Sequence, residues 1–303
     1  MAVRHTYAST DAFRDYLAGT SYASSWTADS APIKTILESQ SRLIDDYVAM
    51  GSFGPRTETR YYDIGSGSLR DSKQVIVDTT SSDVLGLNSA YRSSIVFNSW
   101  LLSATTVTSY KATDRDSSET LVEGYNQDYW LMPYNENPKY EMKLNEDTAK
   151  AFYGGQQTLS VLGNWGYTND TVLVTTADAV ASTTATSVSV SSASGFSIAQ
   201  TMLIDTEQMY ITGISGNTLT VERGVNGTTA ATHSGGASAY RYDYPPQVVQ
   251  ACLDMAKIVY RDRDMGTTQM IGYGETAITR APKEVFYVLE TLSTFRVGTA
   301  VVF

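Results

Sequence analysis

Residues 171–242 hold only six charged side chains in 72 residues (Asp178, Asp205, Glu207, Glu222, Arg223 and Arg241), whereas the other 231 residues hold 48. The same stretch has 24 Ser or Thr and neither Pro nor Lys. Such a composition belongs either to low-complexity disorder or to a β module whose faces carry small polar residues. Periodicity decides between them. Val188 and Val190 alternate with Ser187, Ser189 and Ser191, the period of a half-buried strand. Runs at 202–205, 208–211 and 219–222 continue the strand pattern, and Gly216-Asn217 supplies a turn. The expectation is a small all-β module at 171–242, inserted into another domain.

The flanks read differently. Thr10 is placed to cap a short helix carrying Phe13, Tyr16 and Leu17 and stopped at Gly19. Ser30 and Pro32 open a second helix with Ile33, Ile36, Leu37, Ile44, Tyr47 and Val48 at helical spacing, ended by Gly51. Strand-like runs follow at 58–62 and 74–78 around a Gly65-Ser66-Gly67-Ser68 turn, then at 93–96, 107–110, 129–132 and 158–162. A brief helix is expected from Asn145 to Phe152. Pro245-Pro246 start a helix whose stripe is Val248, Val249, Cys252, Met255, Ala256, Val259 and Tyr260, and Pro282 starts a last one with Val285, Leu289, Leu292 and Phe295 inward. Three regions result: 1–170, with helices and a β-rich expansion; the module at 171–242; and 243–303, helical with an apolar tail.

With 22 basic and 32 acidic residues, the net charge is −10, so phosphate backbones are repelled and general nucleic-acid affinity is disfavoured. Such a chain can still surround DNA without gripping it. Cys252 is the one cysteine, so no intramolecular disulfide forms. The first residues lack the apolar run of a signal peptide, and no apolar stretch approaches the ~20 residues that span a bilayer, so no membrane role is expected. The 21 tyrosines suit protein contacts, because a ring covers much area with few torsions to freeze.

Catalytic chemistry is thinly represented. His5 and His233 fall in an N-terminal stretch and a Gly/Ser/Thr-rich loop, weak settings for a base or a zinc ligand. No nucleophile elbow, phosphate-binding loop or paired-cysteine motif occurs. Asp205 and Glu207, two apart on an expected strand, would share one face, most simply a solvated one. Asp114, Asp116 and Glu119 read as a polar loop, lacking the glycine of a calcium loop. No catalytic residue, metal or cofactor is therefore expected, and the chain reads as a non-enzyme. Asp262 and Asp264 neutralise Arg261 and Arg263, which with Arg280 fit helix-end ion pairs or a subunit interface. Trp165, Tyr167, Tyr240, Tyr242 and Tyr244 flank the module, suiting an aromatic hinge or, alternatively, a platform for sugar rings.

Several segments, in order, carry a resemblance: Ile44-Asp45-Asp46-Tyr47, Thr59-Arg60-Tyr61-Tyr62-Asp63, Val161-Leu162-Gly163-Asn164-Trp165-Gly166-Tyr167, Pro245-Pro246 through Ala251-Cys252, Tyr260-Arg261-Asp262-Arg263-Asp264, Gly272-Tyr273-Gly274-Glu275, Arg280 and Phe295-Arg296. Together they resemble the head–tail adaptor (connector, or head-completion) proteins of tailed bacteriophages. Within the insertion, Ile204-Asp205-Thr206-Glu207 and residues 216–228 resemble a β module common in phage virion proteins. The resemblance implies an α+β fold: a helical adaptor core with β-rich expansions and the inserted module. It implies a homo-oligomeric ring, of about twelve copies, at the virion neck. The ring would sit between portal protein and tail or tail-completion protein, assemble in the host cytoplasm, extend the channel for passing DNA and give the tail a docking surface. Tyr260, Arg261, Arg263, Arg280, Arg296, Val301, Val302 and Phe303 are the expected partner or subunit contacts, and Trp165, Tyr167, Tyr242 and Tyr244 the hinge. The rival function is a receptor- or glycan-binding virion protein.

Overall fold

The computed structural model describes residues 3–18, 30–64, 91–92, 94–111, 116–145, 147–265 and 280–296. Among them are fourteen strands and four α-helices. The chain forms two compact units, residues 54–168 and residues 1–53 together with 169–303.

In the unit of 54–168, an antiparallel sheet runs β1 (Arg56–Ile64), β8 (Gly155–Trp165), β3 (Ser94–Tyr110), β6 (Lys139–Leu144) and β5 (Tyr129–Met132), with β4 (Ser118–Leu121) also on β3. A small pair joins β2 (Tyr91–Arg92) to β7 (Phe152–Tyr153). The two runs expected at 93–96 and 107–110 belong to one 17-residue strand, β3, whose register shifts where Asn98, Ser99 and Ser103 interrupt its apolar pattern. The core is aromatic at its centre. Tyr62, Phe97 and Trp165 are buried, with the Phe97 ring 5.4 Å from both Tyr62 and Trp165. Trp165 Nε1 donates to the Glu58 carbonyl at 3.1 Å, so its one polar atom is satisfied. Gly163 lets β8 lie close to β3: a Cβ there would stand 2.4 Å from the Ser103 carbonyl oxygen. The brief helix expected at 145–152 does not form; Phe152 instead pairs as part of β7 and is buried.

In the other unit, residues 171–242 supply a second antiparallel sheet in the order β10 (Ser187–Ser189), β13 (Thr218–Glu222), β12 (Glu207–Ser215), β11 (Thr201–Ile204), β14 (Ala237–Tyr242) and β9 (Thr171–Ala177). Its core is built of Val, Ile, Leu, Met and Ala, with Phe196 its one ring. The Ser/Thr residues fall on the alternate positions: Ser187 and Ser189 are exposed while Val188 between them is buried. The same unit holds α1 (Thr10–Leu17), α2 (Ser30–Val48), α3 (Pro246–Met265) and α4 (Arg280–Glu290), with α3 packed against the other three. α2 buries Ile33, Leu37, Ile44 and Val48, and α3 buries Val248, Cys252, Met255 and Ala256. The cap of α1 is Ser9, whose hydroxyl accepts from Ala12 N at 3.1 Å, one residue before the Thr10 expected from sequence. Burial pushes the Cys252 thiol up to about 11, leaving a packed, unreactive sulfur.

The N-terminal segment before α1 is stitched to the module. Arg4 N donates to Asn226 Oδ1 at 2.7 Å, the Thr201 hydroxyl donates to the Arg4 carbonyl, and Thr6 and Tyr210 hydroxyls meet at 3.1 Å.

These sheets overturn the expected helical adaptor core. The chain is mostly antiparallel β, and its short helices accompany one sheet rather than organise the whole. The physical reason is visible in β3, whose β-branched and aromatic residues favour a pleated, half-buried strand, and in β8, which pairs with it. Broken into short runs by Ser and Asn, they read as expansions on a helical frame, whereas they pair along most of their length.

Candidate functional site

A cluster of charged and titratable groups lies at one end of the module's sheet, around the turn between its two central strands. β11 and β12 pair Ile204 with Glu207, leaving Asp205-Thr206 as a two-residue turn with Asp205 at φ +52°. Asp tolerates that left-handed conformation better than most residues. The expected shared strand face of Asp205 and Glu207 is therefore corrected: the Asp205 side chain is exposed, and Glu207 is buried.

Glu207 is a hub. Arg223 grips it with Nε at 2.6 Å and Nη2 at 2.7 Å, and the backbone N–H groups of Gly224 and Ala231 donate at 3.1 and 2.9 Å. His233 Nε2 stands 2.8 Å from Glu207 Oε2, and its Nδ1 stands 2.7 Å from Asp205 Oδ2. Arg223 Nη1 reaches on to the carbonyls of Ser182 and Ala185. Burial alone would raise the Glu207 carboxyl, but Arg223, the Ala231 N–H and His233 outweigh it and hold the carboxyl below its usual range. The motif residues thereby acquire structural roles. Gly224 adopts φ +59° under the Ala230 backbone, Asn226 donates to Gln208 at 2.8 Å, and Thr228 Oγ1 accepts from Gln208 N at 3.0 Å. With both His233 nitrogens committed to carboxylates, neither serves a substrate as base. The arrangement is a clasp that fastens the 223–236 loop to the β11–β12 hairpin. Nothing in the Gly, Ser and Thr neighbours of His233 signals its burial.

A second region is the helical face. Tyr260 is buried with its ring 5.8 Å from Phe13, so it serves this chain's interior. Arg261 pairs with Glu284 at 2.8 Å, joining α3 to α4. Arg296 lies over the Tyr47 ring at 5.0 Å, while the Tyr47 hydroxyl donates to Glu290. The side chains of Arg263 and Arg280, and Val301, Val302 and Phe303, lie outside the described residues. Sequence reading missed Phe286 and Tyr287, which α4 exposes to 55% and 70%. Tyr287 borders a groove of about 590 Å³ between α3 and α4, with Pro246, Gln250, Ala251, Asp254 and Val288.

The expected hinge aromatics pack separately. Trp165 lies in the core of the 54–168 unit and Tyr167 edges onto Trp100 at 4.9 Å. In the other unit His5, itself buried, meets the Tyr244 hydroxyl at 2.8 Å and stands edge-on to Tyr242. A buried Trp165 offers no face to a sugar.

Among the described residues no group of three or more His, Cys, Asp or Glu is placed to hold a metal ion, and no helix is long and apolar enough to cross a membrane. No protein-family model, curated protein or solved structure matches the chain.

Proposed function

We propose that this chain is a structural, non-enzymatic virion subunit of a tailed bacteriophage, assembling with copies of itself into a ring at the neck between portal and tail. The observation that supports the reading best is the α3–α4 face. Two adjacent aromatic side chains of α4, Phe286 and Tyr287, stand exposed, and Tyr287 borders the groove. A surface of this kind is more often an interface than solvent-facing. Its occupant in this reading is a second copy of the chain. Copies carrying a net charge of −10 repel one another, so in this reading the attraction comes from the apolar and aromatic side chains of the face, with Asp254 the one carboxylate of the groove lining. The clasp adds a further support: the residues that resemble a phage virion module act as internal fasteners, as a structural part requires. The same acidic balance suits a channel through which DNA passes without sticking.

The direct test is position and assembly together. Gold-labelled antibody against residues 171–242 should mark the collar of intact virions, and light scattering should give a ring-sized mass that Tyr287→Asp reduces to the monomer. Label at fibre tips, or a Tyr287→Asp protein that assembles normally, would sink the proposal.

A further inference from the structure

The unit of 54–168 contains a cleft of about 620 Å³ beside the β5–β6 hairpin, bordered by Tyr125, Gln127, Trp130, Tyr134, Lys143 and Asp147. This volume falls in the range of small-molecule sites. Two of its rings are the most exposed aromatics among the described residues of that unit, Tyr125 at 80% and Tyr134 at 54%, while Trp130 is half-buried. They form a row. The Trp130 and Tyr134 centroids are 5.5 Å apart at 89°, and Tyr125 and Trp130 are 6.4 Å apart. Trp130 sits opposite Lys143 across the β5–β6 pair, on the strand face away from buried Tyr129 and Leu131.

The backbone beneath the row is braced. Asp128 accepts from Val122 N at 2.9 Å, from the Thr148 hydroxyl at 2.8 Å and from Lys150 at 3.0 Å. Asn145 donates its amide to the Gln127 and Gly124 carbonyls, and Lys139 donates to the Tyr134 carbonyl at 3.0 Å. A loop tied at this many points holds its rings without a ligand, so little ordering entropy remains to be lost on binding.

The chemistry selects the ligand. A purely apolar molecule would strip water from Gln127, Asn126, Lys143 and Asp147 without replacing it. A polyphosphate would meet Asp128 and Asp147 with Lys143 as the one cation of the lining. A pyranose ring matches both demands: its C–H face carries partial positive charge suited to an aromatic π-face, and its hydroxyls exchange hydrogen bonds with amide and carboxylate groups. We infer that this cleft is a saccharide-binding site taking a neutral pyranose oligosaccharide across Tyr125, Trp130 and Tyr134. The inference goes beyond the neck reading and does not depend on it.

The test is saturation-transfer difference NMR on the full-length protein with maltotetraose, cellotetraose and N-acetylchitotetraose at millimolar concentration. The expected result is transfer to the ring C–H protons of at least one probe. Tyr134→Ala and Tyr125→Ala should each weaken it by about tenfold, while Tyr134→Phe, which keeps the π-face, stays within about threefold. Both tyrosines are exposed, and an unchanged thermal midpoint identifies variants that remain folded. Absence of transfer from all three probes overturns the inference. So does transfer that survives both alanine variants, or a cleft whose alanine variants change only the protein's oligomeric mass. None of these outcomes moves the collar labelling, so failure here is distinct from failure of the neck assignment.

Discussion

The two large sheets have the same number of strands, six each, and reach stability by different routes. The sheet of 54–168 packs Tyr62, Phe97, Phe152 and Trp165 at its centre, with long strands paired over many residues. The sheet of 171–242 has short strands, aliphatic side chains and a buried carboxylate–guanidinium–imidazole clasp at one end of its central strand pair. Large rings bury much area each and hold a sheet by packing alone. Small side chains with Ser and Thr between them bury less, and the loops of such a sheet need another fastening. A buried ion pair supplies specific geometry rather than large net stability, yet removing one partner strands a charge. The difference teaches that charge-poor composition concentrates dependence on its few charged residues.

That contrast can be broken by substitution, read sheet by sheet with amide hydrogen exchange. Trp165→Ala should have the largest effect, about 3–5 kcal/mol, seen as lost protection in β8 with β12 unchanged. Glu207→Gln should cost about 3 kcal/mol, because Arg223 keeps its charge without its partner, with β12 and the 223–236 loop losing protection and β8 keeping it. Gly163→Ala should cost about 1–3 kcal/mol, since the new methyl meets the Ser103 carbonyl and β8 must shift from β3. The mildest probe is acid. The Glu207 carboxyl is held below its ordinary value of 4.5, so its contribution is complete above that pH and is lost as pH falls through the lower folded value. Wild-type β12 should therefore lose protection below about pH 4.5, a slope that Glu207→Gln abolishes. The Trp165→Ala cost involves no proton and stays constant over the same range. Equal losses in both sheets from any one substitution would dissolve the comparison.

Much of the module is legible in sequence. The Ser187–Ser191 alternation, the runs at 202–205, 208–211 and 219–222 and the Gly216-Asn217 turn all correspond to strands or turns, because period two survives even in a small-residue composition. The α2 and α3 stripes are equally plain. The clasp is not. Asp205-Thr206 lacks the glycine that marks a two-residue hairpin turn, so the chain reads straight through it and puts Asp205 and Glu207 on one face. Glu207, Arg223 and His233 meet only through pairing of distant segments, which no local period reports. In the other unit the balance of helix and strand is hard to read for a related reason: Asn98, Ser99 and Ser103 interrupt an apolar run that continues as one strand, β3. The Tyr125–Trp130–Tyr134 row was likewise hidden, since aromatic spacing across a loop has no period to detect.

The stitching of residues 4–10 to the module has a consequence for the order of events on the ribosome. Arg4 and Asn226, bonded through backbone and amide, are 222 positions apart in the chain. At roughly 5–20 residues per second, the first segment waits about 10–45 s before its partner is synthesised. Residues 54–168, which form one compact unit, are translated complete in that interval. Vectorial synthesis thus favours closing the middle of the chain first, with the beginning captured last, when the module arrives to receive it.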